Sequence, residues 1–401
     1  MGSRGICDRV AVVGMGCTPF GEHWDSSTES MLVDATSAAI ASAGVAIDDV
    51  DAFWLGTMGS GMTGMTLSSP LALDYKPVTR VENYCATGSE AIRNACYAVA
   101  SGAYDMVMAV GVEKLKDSGY SGLVVPGPAN DGTSTAASAP AKFSYLVPAY
   151  AEKYGVDRAQ IKEAMTRIAW KNHYNGARNP RAQFRKEVSL ATIANSPIVA
   201  GDIGLFDCSG VSDGAAAAVI VRAEDALRYT DKPIYVKGLS FVAGPATGVR
   251  HADYDYTTFP EVVRSARDAY AQAGVTDPRA QLALAEVHDC FTPTEMVLME
   301  DLGFSERGLA WKDVLAGTFD LTGELAVNPD GGLKSFGHPV GASGLRMLFE
   351  CFLQLRHEAP AERTVRAIAE GGRNLALTHN LGGAPGRCVS FVGVFGSERT
   401  T

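Results

Sequence analysis

The chain has 401 residues, 46% hydrophobic and 20% charged, with 43 glycines. That is enough to bury a large core over two or three domains and fits a compact α/β protein rich in tight turns. The net charge of -10 disfavours nucleic acid as the main partner and leaves acidic ligands to local basic patches. No apolar run reaches membrane-span length, and the opening residues carry no signal-peptide core. Eight dispersed cysteines form neither a CxxC metal pair nor a disulfide framework. The expectation is a reduced, soluble, cytoplasmic enzyme without a metal.

In chain order, Val10 to Val13 reads as a strand ending in Gly14-Met-Gly16, too incomplete for a dinucleotide fingerprint. A helix follows near Met31 to Ala43, capped by Gly44, and then a strand near Ala52 to Leu55. Val78 to Val81 is a short strand. After it, Val81-Glu-Asn-Tyr-Cys85-Ala-Thr-Gly88 turns sharply into a helix marked by Ile92, Ala95, Cys96 and Val99. Most free cysteines are buried packing residues. A cysteine at a helix N-terminus, however, faces exposed N–H groups that lower a thiol pKa and favour a nucleophile.

A strand from Met106 to Val112 precedes an insertion, about Lys114 to Asp207, which begins Gly-, Ser- and Pro-rich and turns helical near Phe143–Tyr154 and Arg158–Asn172. Insertions of this size often cover a substrate site. It carries Arg158, Lys162, Arg167, Lys171, Arg178, Arg181, Arg185 and Lys186. These residues suit either the phosphates of a nucleotide-tailed cofactor such as coenzyme A or a solvated face with pairs such as Glu163 and Arg167.

The order of elements then restarts. Ile234 to Leu239 is a strand, Glu261 to Ala273 a helix capped by Gly274, and Leu282 to Val287 a strand. Ala41-Ser-Ala43-Gly44-Val45 matches Ala271-Gln-Ala273-Gly274-Val275, a repeat too long for a solenoid. The halves are therefore 1–230 and 231–401, each alternating strand and helix, which predicts mainly parallel sheets with helices on their faces. His338-Pro-Val-Gly341 occupies the helix entry in the second half that Cys85-Ala-Thr-Gly88 occupies in the first. Cysteine with histidine is a nucleophile and base combination.

Three further stretches complete the pattern: Glu286-Val-His288-Asp289-Cys290-Phe291, Asn328-Pro-Asp-Gly-Gly332 running on to Gly337-His338-Pro339, and Thr378-His379-Asn380-Leu381-Gly382-Gly383. Together they resemble the thiolase superfamily over the whole chain, and the His-Asp-Cys-Phe box resembles its sterol carrier protein-type and bacterial thiolase-like branch, here without the sterol carrier domain. Ordinary thiolases read Asn-Glu-Ala-Phe at that box and Cys-x-Gly where this chain has Asn380-Leu381-Gly382.

The resemblance implies a five-layered α-β-α-β-α thiolase fold with a lid-like insertion. It implies a homodimer or homotetramer, without a permanently bound cofactor and with coenzyme A and acyl-CoA as substrates. Cys85 is then the acyl-carrying nucleophile, His338 its base, and His288 with His338 the oxyanion donors. Cys290 is the acid/base, while Asn380 and Gly382 belong to the substrate loop, the N–H groups of Cys85 and Gly382 forming a second oxyanion hole. The implied reaction is thiolytic cleavage of a 3-ketoacyl-CoA or its reverse condensation, in fatty acid or steroid metabolism. Two alternatives stand beside it. One is acyl transfer to another acceptor, or retro-aldol cleavage, with a small OB-fold partner. The other is a catalytically silent acyl-CoA binding protein.

Overall fold

The computed structural model describes residues 5–117 and 138–400. Most of the Gly-, Ser- and Pro-rich opening of the insertion lies outside the described residues.

The first half contributes β1 (Val10–Cys17), α1 (Thr28–Ala43), β2 (Ala52–Gly56), β3 (Val78–Val81), α2 (Thr87–Ala100) and β4 (Met106–Glu113), then a long helix of the insertion, α3 (Arg158–Ala177), and β5 (Gly214–Arg222). The second contributes β6 (Ile234–Ala243), α4 (Pro260–Ala273), β7 (Leu282–Glu286), α5 (Thr292–Asp301), β8 (Ala326–Val327), α6 (Ser343–Leu355), β9 (Leu375–Ala384) and β10 (Arg387–Gly396). The strands run in the order β8-β7-β9-β10-β6-β1-β5-β4-β2-β3. Read outward from the centre, each strand of one half has its counterpart five strands later in the other. The repeat seen in the letters is a repeat of topology. The halves join through a short antiparallel contact, Ala11 opposite Tyr235 and Val12 opposite Ile234.

The sheet is mixed, which corrects the expectation of mainly parallel pairing. Near the rims β2 pairs in parallel with β3 and β4, and β7 with β8 and β9. At the centre β5 runs antiparallel to β1 and β4, and β10 antiparallel to β6 and β9. The reason lies in the connections. β9 returns into β10 through a tight turn at Ala384–Arg387, and such a hairpin permits only antiparallel pairing. In the first half the whole insertion stands between β4 and β5, yet the pairing is the same.

Three apolar clusters define the layers. Ala35 and Ala39 of α1 pack on Val13, Val110 and Val219 of the first half's strands. Ile92, Ala95 and Val99 of α2 share a cluster with Leu345, Leu348 and Phe352 of α6, between the two sets of strands. Val262, Ala266 and Ala269 of α4 pack on Val392 and Val394, together with the insertion's Ile161, Met165 and Ile168. The stack is helix, strands, helix pair, strands, helix, the thiolase architecture. α1 and α4 both end on a glycine in the left-handed region, Gly44 at φ 67° and Gly274 at φ 70°, as helix C-termini require. Buried in the middle layer, α2 and α6 bring their N-termini, and the turns that precede them, toward one another.

Candidate active site

The turn bearing Cys85 is built by local bonds. Ala86 N donates to Asn83 O at 3.1 Å and Thr87 N to Tyr84 O at 3.0 Å. The Thr87 hydroxyl accepts from Asn83 N at 2.8 Å. Closing so tightly forces Tyr84 to φ 50°, a left-handed conformation that costs a non-glycine residue about 1–2 kcal/mol. Gly382 of β9 lies against this turn. A Cβ there would sit 2.4 Å from Asn83 O and 3.2 Å from Tyr84 Cβ, so only glycine lets the two backbones meet.

The histidine turn is tied to the first half by one carboxylate. Glu113, at the end of β4, is buried and accepts from Gly341 N at 3.1 Å, Met58 N at 3.0 Å, Gly59 N at 2.8 Å, the Thr57 hydroxyl at 3.1 Å and the Ser60 hydroxyl at 2.8 Å. His338 N donates to Ser212 Oγ at 3.0 Å. Its ring Nδ1 lies 2.8 Å from Ser343 Oγ, which also reaches Pro339 O at 2.9 Å. The carbonyl can only accept, so the Ser343 proton goes there and Nδ1–H donates to Ser343. The Nε2 lone pair of His338 is left without a partner among the described residues.

His338 belongs to the cluster the fold assembles. The ligating atoms of Cys85, His288 and His338 lie within 4.8 Å of one another, and the two imidazoles meet edge to face with ring centres 5.5 Å apart. Burial, with the Arg346 guanidinium a smaller cause, holds His338 down at about 3. Burial and then His338 hold His288 well below its usual value. Burial thus holds both rings in the neutral form. A thiol and two imidazoles also form a donor set of the kind zinc takes.

The Cys85 thiol departs from expectation. Burial pushes Cys85 up to about 12, outweighing the lowering by its own backbone amide. Cys290 is raised well above the usual thiol range, first by burial and then by Cys85 and Asp289. The helix-entry argument for a low-pKa thiol omitted the cost of desolvating a thiolate in a mostly closed site. Cys290 is not one of the three clustered residues, but it is close enough for Cys85 to act on its ionisation. Ser209 N donates to Cys290 O at 2.9 Å, which joins this box to the segment that follows the insertion.

Asp289 holds the box to the histidine loop, accepting from Leu333 N at 2.6 Å, Lys334 N at 3.1 Å and Asn172 Nδ2 at 2.8 Å. Asn380 is fully buried and accepts from Ser89 Oγ at 2.5 Å, so the residue replacing a thiolase cysteine is anchored to α2. Its Nδ2 has no partner among the described residues. His379, beside it, is buried and held at about 3.

Much of the basic segment is structural. Lys171 pairs with Glu295 at 2.7 Å, Lys162 with Asp207 at 2.6 Å, Arg178 with Glu187 at 2.8 Å, and Arg167 with Asp320 in place of Glu163. Lys171, Asn172 and Asn175 on one stretch of α3 brace Val327, Asp289 and Asn328 from behind. The spacing of a helix face signalled these residues only as charge and polarity. Ser343 and Glu113 gave no signal beyond lying near motifs.

Among the described residues no helix is long and apolar enough to cross a membrane. Residues 10–224 match the family model described as the thiolase N-terminal domain, and 246–392 the thiolase C-terminal domain-like model. An acetyl-CoA acetyltransferase of Methanothermobacter thermautotrophicus is 38% identical over 96% of this chain and 98% of its own length. Sterol carrier protein 2 of Gallus gallus is 31% identical over 93% of this chain and 70% of that one. Two solved structures share the fold: the Ltp2-ChsH2(DUF35) aldolase (TM-score 0.81, 24% identity, 99% of this chain and 100% of that one) and acetyl-CoA acetyltransferase from Syntrophomonas wolfei (TM-score 0.70, 20% identity, 98% and 100%). With two family models in sequence, a relative matched end to end and the duplicated layers around one thiol, the chain belongs to the thiolase family of acyltransferase enzymes.

Proposed function

We propose that the protein is an acyl-CoA:acetyl-CoA C-acyltransferase working through an acyl thioester on Cys85. One observation carries this reading: the sulfur of Cys85 and ring nitrogens of His288 and His338 lie within 4.8 Å, and the His338 Nε2 lone pair has no partner among the described residues. In cleavage the Cys85 sulfur attacks the ketone carbon of a 3-ketoacyl-CoA as its proton passes to His338. The bond between the second and third carbons breaks, its electron pair forms the acetyl-CoA enolate, and the acyl group stays on sulfur. His288 and protonated His338 donate to the enolate oxygen, and the Cys290 thiol protonates its carbon. Coenzyme A then takes the acyl group from Cys85. Condensation is the same path reversed.

With their pKa values raised by burial, both cysteines rest as proton-carrying thiols. Coenzyme A comes and goes as substrate. Asn380 and Gly382 shape the loop beside the thiol, with Gly382 N–H and Cys85 N–H as the second oxyanion hole. We place the boundary between the two thiolase halves near residue 230, and read the protein as a cytoplasmic homodimer or homotetramer. The likeness to the Ltp2-ChsH2(DUF35) aldolase raises a second reading, retro-aldol cleavage with a partner protein. The Cys85–His338 arrangement favours acyl transfer, since retro-aldol cleavage forms no acyl-enzyme.

Incubation with acetyl-CoA should add an acetyl group to the peptide carrying Cys85, seen by mass spectrometry and absent in Cys85→Ala. No adduct, with no coenzyme A-dependent loss of acetoacetyl-CoA, would remove the reading.

A further inference from the structure

A cavity of about 690 Å³ lies against the segment 208–211, walled by Phe184, Val199, Leu205 and Phe206. That segment is tied to the candidate site by one backbone bond, Ser209 N donating to Cys290 O at 2.9 Å. We propose that this cavity takes the far end of an acyl chain bearing a carboxylate, with Lys334 as its counter-ion. The inference rests on the acyltransferase reading and names a substrate class within it.

Lys334 lines the cavity yet is only 3% exposed. Its Nζ lies 3.2 Å from His173 Nε2 and 5.6 Å from the ring centres of Phe184 and Phe206. Every other buried lysine or arginine among the described residues has a carboxylate within ion-pair distance, whereas Lys334 has none. The carboxylates that act on it from farther off are committed elsewhere, Asp289 to two amides and Asn172, and Asp207 to Lys162, Thr292 and Gly204 N. His173 is held at about 3 by burial and then by Lys334, so it is neutral and accepts one ammonium proton. Two ammonium protons remain for a ligand. An unpaired buried cation is costly and is relieved by an anion that reaches it. The volume lies within the range of small-molecule sites, and the walls suit methylene groups. Arg185 and Lys186, exposed at the rim, favour entry of an anionic group.

The test compares 3-ketoadipyl-CoA with 3-ketohexanoyl-CoA, and the pair two carbons longer, on the full chain and on Lys334→Met. The wild type should favour the carboxylated member of at least one pair in kcat/KM by about tenfold or more, and Lys334→Met should abolish that ratio. No wild-type preference overturns the proposal, and this arm decides alone if the variant does not fold. An equal loss on both members in the variant would place a phosphate of coenzyme A on Lys334 and also overturn it. Acetylation of Cys85 by acetyl-CoA, measured in parallel, separates failure of this proposal from failure of the acyltransferase reading.

Discussion

His338 donates from Nδ1 to Ser343, five residues on at the first position of the following helix, and so keeps its lone pair on Nε2, which has no partner among the described residues. Ser343 therefore fixes a tautomer. Ser343→Ala removes this orientation and should slow acylation of Cys85 about tenfold, as expected when one hydrogen bond is lost from a barrier. The burst of coenzyme A released on mixing with acetyl-CoA reads this directly. An unchanged burst rate would mean the ring is held by other contacts.

The proton on Cys85 is tightly held, so its chemistry without a substrate should be slow. Alkylation by iodoacetamide should rise steadily from pH 7 to pH 9 without a plateau, because burial places the thiol at about 12. A plateau below pH 8 would show a preformed thiolate.

Cys290→Ala should still acylate at Cys85 but lose exchange of the acetyl-CoA methyl protons with solvent deuterium. NMR of acetyl-CoA recovered from heavy water gives the answer. Normal exchange in the variant would move the acid/base role away from Cys290.

Acid should destabilise the protein well before its carboxylates are all protonated. His173, His338 and His379 fall from 6.5 to about 3 on burial, and His288 also falls. Above pH 6.5 neither folded nor unfolded histidines carry protons. Below it the unfolded chain gains protons that the folded one refuses, so stability is lost as pH drops toward about 3. Each group contributes on the order of a few kcal/mol across that window. A urea midpoint that stays level from pH 7 to pH 5 would contradict this.

Gly382→Ala pushes a methyl group into Asn83 O and should cost about 1–3 kcal/mol as well as displacing the Cys85 turn. Thermal unfolding temperature and acetyl adduct yield should both fall. A variant of native stability and full acylation would show that the two backbones separate easily.

Most of the frame was legible because it is written in local patterns. The Ala-Gly-Val helix ends at 43–45 and 273–275 announced the duplication, and Cys85 and His338 were found by sharing an entry position within it. Sheet direction was not, because β5 and β10 follow an insertion and a hairpin, whose returns the strand letters do not encode. The low thiol pKa expected for Cys85 failed for a related reason: a helix entry is visible in sequence, while the closure that desolvates it is tertiary. Lys171 looked like one more cation on a basic helix, and its partner Glu295 is more than a hundred residues away.

Glu113 couples chemistry to folding order. A single carboxylate receives Gly341 from one half and Met58, Gly59, Thr57 and Ser60 from the other, so the turn bearing His338 is latched to a strand made 228 residues earlier. Chemical competence is then a readout of completed assembly. On the acyltransferase reading, a first half alone would carry Cys85 without His288 or His338 beside it, so acylation of Cys85 would require the second half to be docked.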